Sequence, residues 1–506
     1  MRSDVSQIIL LLIAVLVPLL LFKFKRHDLL LSWVCLTLFV QLFDTTILTN
    51  LPAGRIVGLM YLPVALKHFR HWVKYRPAQA WLLNYGYLLI LGVLFGFLWP
   101  WPDSTMMRPF TLTAPGRTLV YSIRMISDIS LTVYIAEQLR IPGRLYLLGR
   151  ALVAGTSLSA LAGLFTMFTG IDLVYLITDF EEQFLTAERA HGLSAEPRGL
   201  GLACAYGLMI LLVGQRKLFR LWPLLVVVNL AGLFSTASTS ALVLLTAGIV
   251  TGWVFFSNRT RGAILFLGLA AALLIFAASI FLPTQFNSAV QTIQARIDPS
   301  VKLNGIPPGT FGQEIAYRLD VFDASAMLFF LEEPFYALVG TGPGLVSLPA
   351  SYHVPPGLYS AIWTPEVGVN SLPFHGILLE ISNGGLLGVL LWIAQVILCW
   401  LALRHLANRQ EDTRAMDEWS FAWAVFLIGT VFYLVQISIS PVWSVMLGIG
   451  WPQFVWCAKT KSNWFMPCGG KRATQGISIR RLIVFVDLRG LGWQTATQTS
   501  VQFTRA

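Results

Sequence analysis

Gly262-Ala-Ile-Leu-Phe-Leu-Gly-Leu-Ala-Ala-Ala-Leu-Leu-Ile-Phe-Ala-Ala-Ser-Ile-Phe-Leu-Pro283 runs without a single charge. At a helical rise of about 1.5 Å per residue, such a run matches the ~30 Å hydrocarbon core of a bilayer. Working outward from it, similar runs are expected near 7–22, 29–49, 54–70, 80–100, 117–137, 145–169, 199–215, 219–235, 239–256, 382–403, 418–437 and 441–457. The run at 54–70 is the weakest of them. A bilayer admits only helices or closed barrels, and barrels give alternating strands rather than continuous apolar runs. The expected fold class is an all-α integral membrane protein. It is a polytopic helical bundle of about 12–13 transmembrane helices, with two long loops on the outer face.

The composition agrees. Of 506 residues, 56% are hydrophobic and 12% charged, and the mean hydropathy is +0.68. A soluble core does not account for that much apolar sequence. The cysteines (Cys35, Cys204, Cys399, Cys457 and Cys468) form no metal-type cluster and read as small core residues without a disulfide framework. A formal charge of +11 would suggest nucleic acid in a soluble protein. Here it reflects Lys and Arg in cytoplasmic loops, and no nucleic-acid partner is expected. The first run, Ile8–Phe22, is followed by Lys23, Lys25 and Arg26 rather than a small-residue cleavage site, so it reads as an uncleaved span.

Orientation follows from alternate loops. Lys67/Arg70/Lys74/Arg76, Arg140/Arg144, Arg216/Lys217/Arg220, Arg259/Arg261 and Arg404/Arg409/Arg414 all fall on one side with Lys23/Lys25/Arg26. The opposite short loops are poor in Lys and Arg, which puts the N-terminus outside and the tail in the cytoplasm. The chain then divides into an N-terminal bundle (1–170), a first outer loop (171–198), spans (199–283), a long outer loop (284–381), C-terminal spans (382–458) and a basic cytoplasmic tail (459–506).

The polar residues of interest gather in the outer loops. Arg189-Ala-His-Gly-Leu-Ser-Ala-Glu-Pro-Arg-Gly-Leu-Gly201 places charges at the mouth of a span. Glu196 before a proline is pushed to extended backbone, and Pro197 can open the next helix. Glu196 and Arg198 are then expected at a helix N-terminus, where free N–H groups and the dipole favour an anionic ligand. Phe234-Ser-Thr-Ala-Ser-Thr-Ser240 lies between two spans; its hydroxyls either allow close helix packing or line a sugar-binding cleft. Within a span, Arg124 and Asp128 stand four apart and read as an intrahelical ion pair facing the bundle interior. The loop 284–381 is too long for a bare connector and is expected to carry short helices on the membrane surface. Gly340-Thr-Gly-Pro-Gly344 lacks the lysine of a phosphate-cradling loop and reads as a tight turn after Pro334. His375 stands just before an apolar helix. It is either an interfacial cap or a general base, since neutral imidazole can accept a hydroxyl proton. Beyond about 460 the tail reads as poorly ordered.

Three separated pieces together resemble the O-antigen polymerase and O-antigen ligase superfamily, the Wzy-type polysaccharide polymerases and related ligases. They are Arg189…Glu196-Pro197-Arg198…Gly201 with the Ser/Thr turn, Arg318 with Pro334…Gly344, and His375 with Gly385 and Gly388. The resemblance covers roughly residues 180–400. The family usually has Asn or Ser where Gly376 follows the histidine here.

The resemblance implies a GT-C-like architecture in a bacterial inner membrane and metal-independent glycosyl transfer without a cofactor. The donor would be an oligosaccharide on polyprenyl (undecaprenyl) diphosphate, with transfer at the outer face. The product would be O-antigen or exopolysaccharide; the alternatives are a ligase acting on lipid A-core or protein, and a transporter without chemistry. Arg189, Arg198 and Arg318 would hold the diphosphate, because arginine binds phosphate bidentately. His375 or Glu196 would be the base. Membrane lipids, a chain-length regulator and a flippase of the same pathway would be its partners. On this reading Arg318→Ala abolishes polymer while the protein stays in the membrane. Near-normal polymer length, resolved on a gel, would count against it.

Overall fold

The computed structural model describes residues 2–40, 53–99, 101, 113–174, 189–194, 197–297, 313, 319, 321–353, 373, 375–409, 413–435 and 440–451. They belong to one compact unit, Met1–Lys459. Among the described residues there are helices and turns and no strand.

The long elements, in order, are α1 (Arg2–Lys23), α2 (His27–Thr37), α3 (Ala53–Lys67), α4 (Arg76–Val93), α5 (Ala114–Gln138), α6 (Arg144–Thr169), α7 (Pro197–Gly214), α8 (Trp222–Ser235), α9 (Thr239–Phe255), α10 (Asn258–Phe281) and α11 (Pro283–Ile297). After them come three short helices, α12 (Val321–Glu332), α13 (Pro334–Val339) and α14 (Ser347–Ala350). The last described elements are α15 (Gly376–Arg409), α16 (Thr413–Val435) and α17 (Ser440–Gly450). Among the described residues, six stretches are long and apolar enough to cross a membrane: Arg76–Leu98, Ala114–Gln138, Arg144–Thr169, Pro197–Lys217, Asn258–Phe281 and Gly376–Leu406. The protein is an all-α membrane protein. The tail 459–506 lies outside the described residues.

Helix α7 is the central post. Every residue from Leu200 to Leu212 is buried, as expected of a helix that is apolar all round. It packs against α6, α8 and α9. Helix α10 is the opposite case: Leu265, Leu269, Leu273 and Phe276 face outward, the pattern of a helix at a lipid boundary.

The basic loops meet at one end of the bundle. Lys217 Nζ lies 2.5 Å from Asp417 Oδ2, and Arg150 Nε donates to Leu218 O at 2.9 Å. Gly143 N donates to Glu418 Oε1, and Arg259 Nε to Gln215 Oε1 at 2.8 Å.

Two expectations need correction. Asp128 pairs across helices: Arg55 of α3 donates to it through Nε (3.2 Å) and Nη2 (3.3 Å). Ser127 Oγ fastens the same contact by donating to Arg55 O at 2.6 Å. A bidentate guanidinium on a neighbouring helix meets the carboxylate in a better geometry than a side chain one turn away. Arg124 instead carries its guanidinium carbon 4.9 Å from the ring centre of Tyr121. The long outer loop is the second correction. It does contain short helices, but Leu345–Ala350 are buried inside the bundle and form a core with Leu91, Phe95, Ala326 and Phe329.

Removing one member of a buried ion pair costs about 3–5 kcal/mol, whereas replacing both with apolar groups is often neutral. Asp128→Leu should therefore lower the detergent-solubilised melting temperature, and Arg55→Leu/Asp128→Leu should recover most of the loss in a thermal-shift measurement.

Candidate functional site

The site is built from α12, the turn after α13, and the first turns of α15. All lie at the end of the bundle opposite the basic loops: α15 begins beside Tyr433, near the end of α16, whereas Asp417 and Glu418, near its start, meet the basic loops.

His375 occupies the N-cap of α15: its carbonyl accepts from Leu379 N at 2.9 Å. Asp323, in the first turn of α12, grips it twice. Asp323 Oδ1 accepts from His375 N at 3.0 Å, and Oδ2 lies 2.8 Å from His375 Nδ1. The Asp323 side chain is fully buried while that of His375 is 39% exposed. A carboxylate at a helix N-terminus is favoured by the dipole. The carboxylate accepts from Nδ1–H, which leaves the Nε2 lone pair available. Among the described residues no group engages Nε2. This is the arrangement of a base held in one tautomer by an orienting carboxylate.

Close packing accounts for the glycine at position 376. A Cβ there would collide with the carbonyl oxygen of Tyr433 on α16. Glycine at this position brings the start of α15 against the α16 backbone and sets His375 beside Asp323. One turn on, buried Glu380 accepts a short hydrogen bond from Tyr433 Oη.

Helix α15 is broken at Gly385 (φ 59, ψ −160), about 14 Å below its first residue. The Gly340–Gly344 turn fills the break. Thr341 N and Oγ1 both donate to Ser382 O at 2.8 Å. Gly342 N donates to Asn383 O at 3.0 Å, and Gly344 N to Asn383 Oδ1 at 3.1 Å. Gly340, Gly342 and Gly344 all have positive φ. A Cβ on Gly340 would lie 2.6 Å from Gly385 N, so the two backbones touch. Arg117 completes the packing, its Nη1 donating to Gly344 O (3.1 Å) and Ser347 Oγ (2.7 Å). The turn's amides are committed to α15 and do not form a phosphate cradle, in keeping with the tight-turn reading.

The residues of the first outer loop form a second grouping at the same end. Arg189 Nε donates to Thr236 O at 2.8 Å, and Ala190 N to Ser235 O at 3.0 Å. His191, itself buried, lies between Asp172 Oδ2 (Nε2, 2.8 Å) and Ser194 O (Nδ1, 2.9 Å). Arg198 stands in the first turn of α7. Gly201, one turn on, packs on Thr236 and Ser238. The hydroxyls of the Ser/Thr turn serve structure: Ser238 Oγ caps α9 at Ala241 N, and Thr236 Oγ1 donates to Leu233 O. The two groupings are joined through α16, where Phe432 rings against Tyr206 of α7 at 5.0 Å and the next residue, Tyr433, backs Gly376. Glu196 and Arg318 lie outside the described residues.

Asp323 was not singled out in the sequence. Its one signal is a carboxylate inside the apolar run of α12, and Asp320 nearby carries the same signal.

Fold and site define a polytopic all-α membrane protein with a His–Asp pair at one end. Compared with known proteins, the chain matches no family model, no curated protein and no solved structure.

Gly376→Asn, which installs a residue common in the resembling family, should destabilise this protein by about 1–3 kcal/mol through overpacking. A melting temperature equal to that of the unaltered protein would show that α15 and α16 are not in backbone contact.

Proposed function

We propose that the protein is a membrane glycosyltransferase that polymerises a cell-surface polysaccharide from polyprenyl-diphosphate-linked oligosaccharide. The observation that carries the reading is the Asp323–His375 pair, with Nε2 available at the end of the bundle away from the basic loops.

In this reading His375 Nε2 takes the proton of an acceptor hydroxyl. The hydroxyl oxygen attacks the anomeric carbon of the donor sugar, forming the new glycosidic bond. The bond from that carbon to the diphosphate oxygen breaks, and the lipid diphosphate leaves with the electron pair. Asp323 keeps Nδ1–H directed and stabilises the imidazolium that forms. Arg198 and Arg189, with Arg318, supply the positive charge that a diphosphate leaving group requires. A membrane bundle suits a donor whose lipid stays in the bilayer while its sugar reaches the surface. The inner membrane of a bacterium is the location this substrate implies.

The test is reconstitution of the purified protein with polyprenyl-diphosphate oligosaccharide, with products resolved by size. The unaltered protein should give a ladder. His375→Ala and Asp323→Asn should each slow it by about 10²-fold or more, and the double variant should be little worse than either. A ladder formed at the unaltered rate by His375→Ala would remove the base assignment. A single transfer that needs an added second acceptor would make the protein a ligase. Lipid movement between leaflets without transfer would make it a transporter.

A further inference from the structure

We propose that Asn383 is a positioning residue, clamping the Gly340–Gly344 turn into the break of α15 so that Asp323 stays in register with His375. The inference rests on the reading of that pair as the reaction's base.

The two members of the pair come from distant parts of the chain. Asp323 belongs to α12, and His375 caps α15. A base is effective only when its orienting group is held to within about 0.5 Å. Something must therefore lock α12 to α15, and the structure shows a continuous path. Helix α12 is fastened to the turn-and-helix segment that follows it: Ser325 Oγ donates to Ala350 O through a short hydrogen bond. Ala326, Phe329 and Phe330 of α12 share one apolar core with Leu345, Val346 and Leu348. That segment is in turn fastened to α15 at Ser382 and Asn383.

Asn383 makes the clamp two-sided. Its backbone oxygen accepts from Gly342 N (3.0 Å) and its side-chain Oδ1 from Gly344 N (3.1 Å). The break at Gly385 frees the carbonyls of Ser382 and Asn383 from the helical ladder, and the turn's N–H groups replace the lost partners. Thr341 and Ser382 are fully buried, so the partners must come from the protein itself. Tyr87 Oη, donating to Val339 O at 2.8 Å, holds the turn from the α4 side. The Asn-Gly-Gly of α15 and the Gly-Thr-Gly-Pro-Gly of the outer loop are thus two halves of one joint. Its function is to set the distance between residues 323 and 375.

The experiment uses the full chain in nanodiscs, with histidine labelled at the ring nitrogens. A low-field imidazole N–H proton resonance should report the Asp323–His375 hydrogen bond, assigned by its loss in Asp323→Asn and His375→Gln. Asn383→Leu should lose that resonance and lower kcat about tenfold or more with KM little changed. Asn383→Asp, which keeps the acceptor for Gly344 N, should retain the resonance. In an Asp323→Asn background, Asn383→Leu should add almost nothing further. The proposal is overturned if Asn383→Leu leaves both resonance and kcat within about twofold, or if its effect multiplies fully with that of Asp323→Asn. Should Asn383→Leu fail to fold, Asn383→Ala removes the same Oδ1 acceptor with a smaller side chain. An unchanged resonance there overturns the proposal equally. If the resonance follows the clamp as described but no preparation forms glycosidic bonds, the positioning stands and the glycosyltransferase reading falls.

Discussion

A peptide group buried at the depth of a membrane core must find its hydrogen-bond partner inside the protein, at a cost of several kcal/mol if it fails. That constraint organises the centre of this molecule. Helix α15 surrenders its ladder at Gly385, and the outer segment after α13 enters the gap with amides that match the freed carbonyls. Neither partner is stable alone at that depth. The break without the turn leaves bare carbonyls, and the turn without the break has no acceptors. Glycine on both sides lets the backbones approach to contact distance, and positive φ at Gly340, Gly342 and Gly344 gives the turn its path.

The candidate site depends on this joint. His375 and Asp323 are held by helices that meet because the re-entrant segment is sealed between α4, α5 and α15. Around it, Arg117 closes one side through Gly344 and Ser347, and the close packing of Gly376 on Tyr433 fixes the other. A buried carboxylate is costly unless its oxygens are used, and each oxygen of Asp323 meets a nitrogen of His375. The result is a rigid acceptor and an imidazole whose second nitrogen remains half open to the surroundings.

Charge is sorted by position along the bundle. At the basic end, Lys217, Arg150 and Arg259 meet carboxylates, amides and carbonyls in partly exposed contacts of small energetic weight. In the interior, Arg55 and Asp128 form a fully buried bidentate pair joining α3 to α5. Such a pair contributes little net stability against an apolar alternative, yet either member alone is strongly unfavourable. It therefore ties one point of α3 to one point of α5. At the opposite end, His191 and Asp172 tie the Arg189–Ser194 segment onto α6, alongside the Ser/Thr turn between α8 and α9.

Much of the architecture was legible in the sequence because hydropathy is a local property. A run such as Gly262–Pro283 declares its environment without reference to any other residue, and the alternation of Lys and Arg orders the loops by side. His375 and the arginines of the first outer loop were visible as polar groups at the mouths of apolar runs. Their partners were not visible. Asp323 lies far from His375 in the chain, and nothing in its spacing distinguishes it from Asp320. Arg55 sits in the least convincing of the apolar runs, while Arg124 stood nearer to Asp128 in sequence and drew the pairing away from it. The Gly340–Gly344 turn gave no sign of sinking into the bundle, because its destination exists only where α15 breaks. Sequence by itself determined that the chain is helical and apolar enough for a membrane, and where polar residues interrupt its apolar runs. Tertiary structure alone decided which polar groups meet, because a side chain's partner is set by helix packing and hydrogen-bond completion across the bundle.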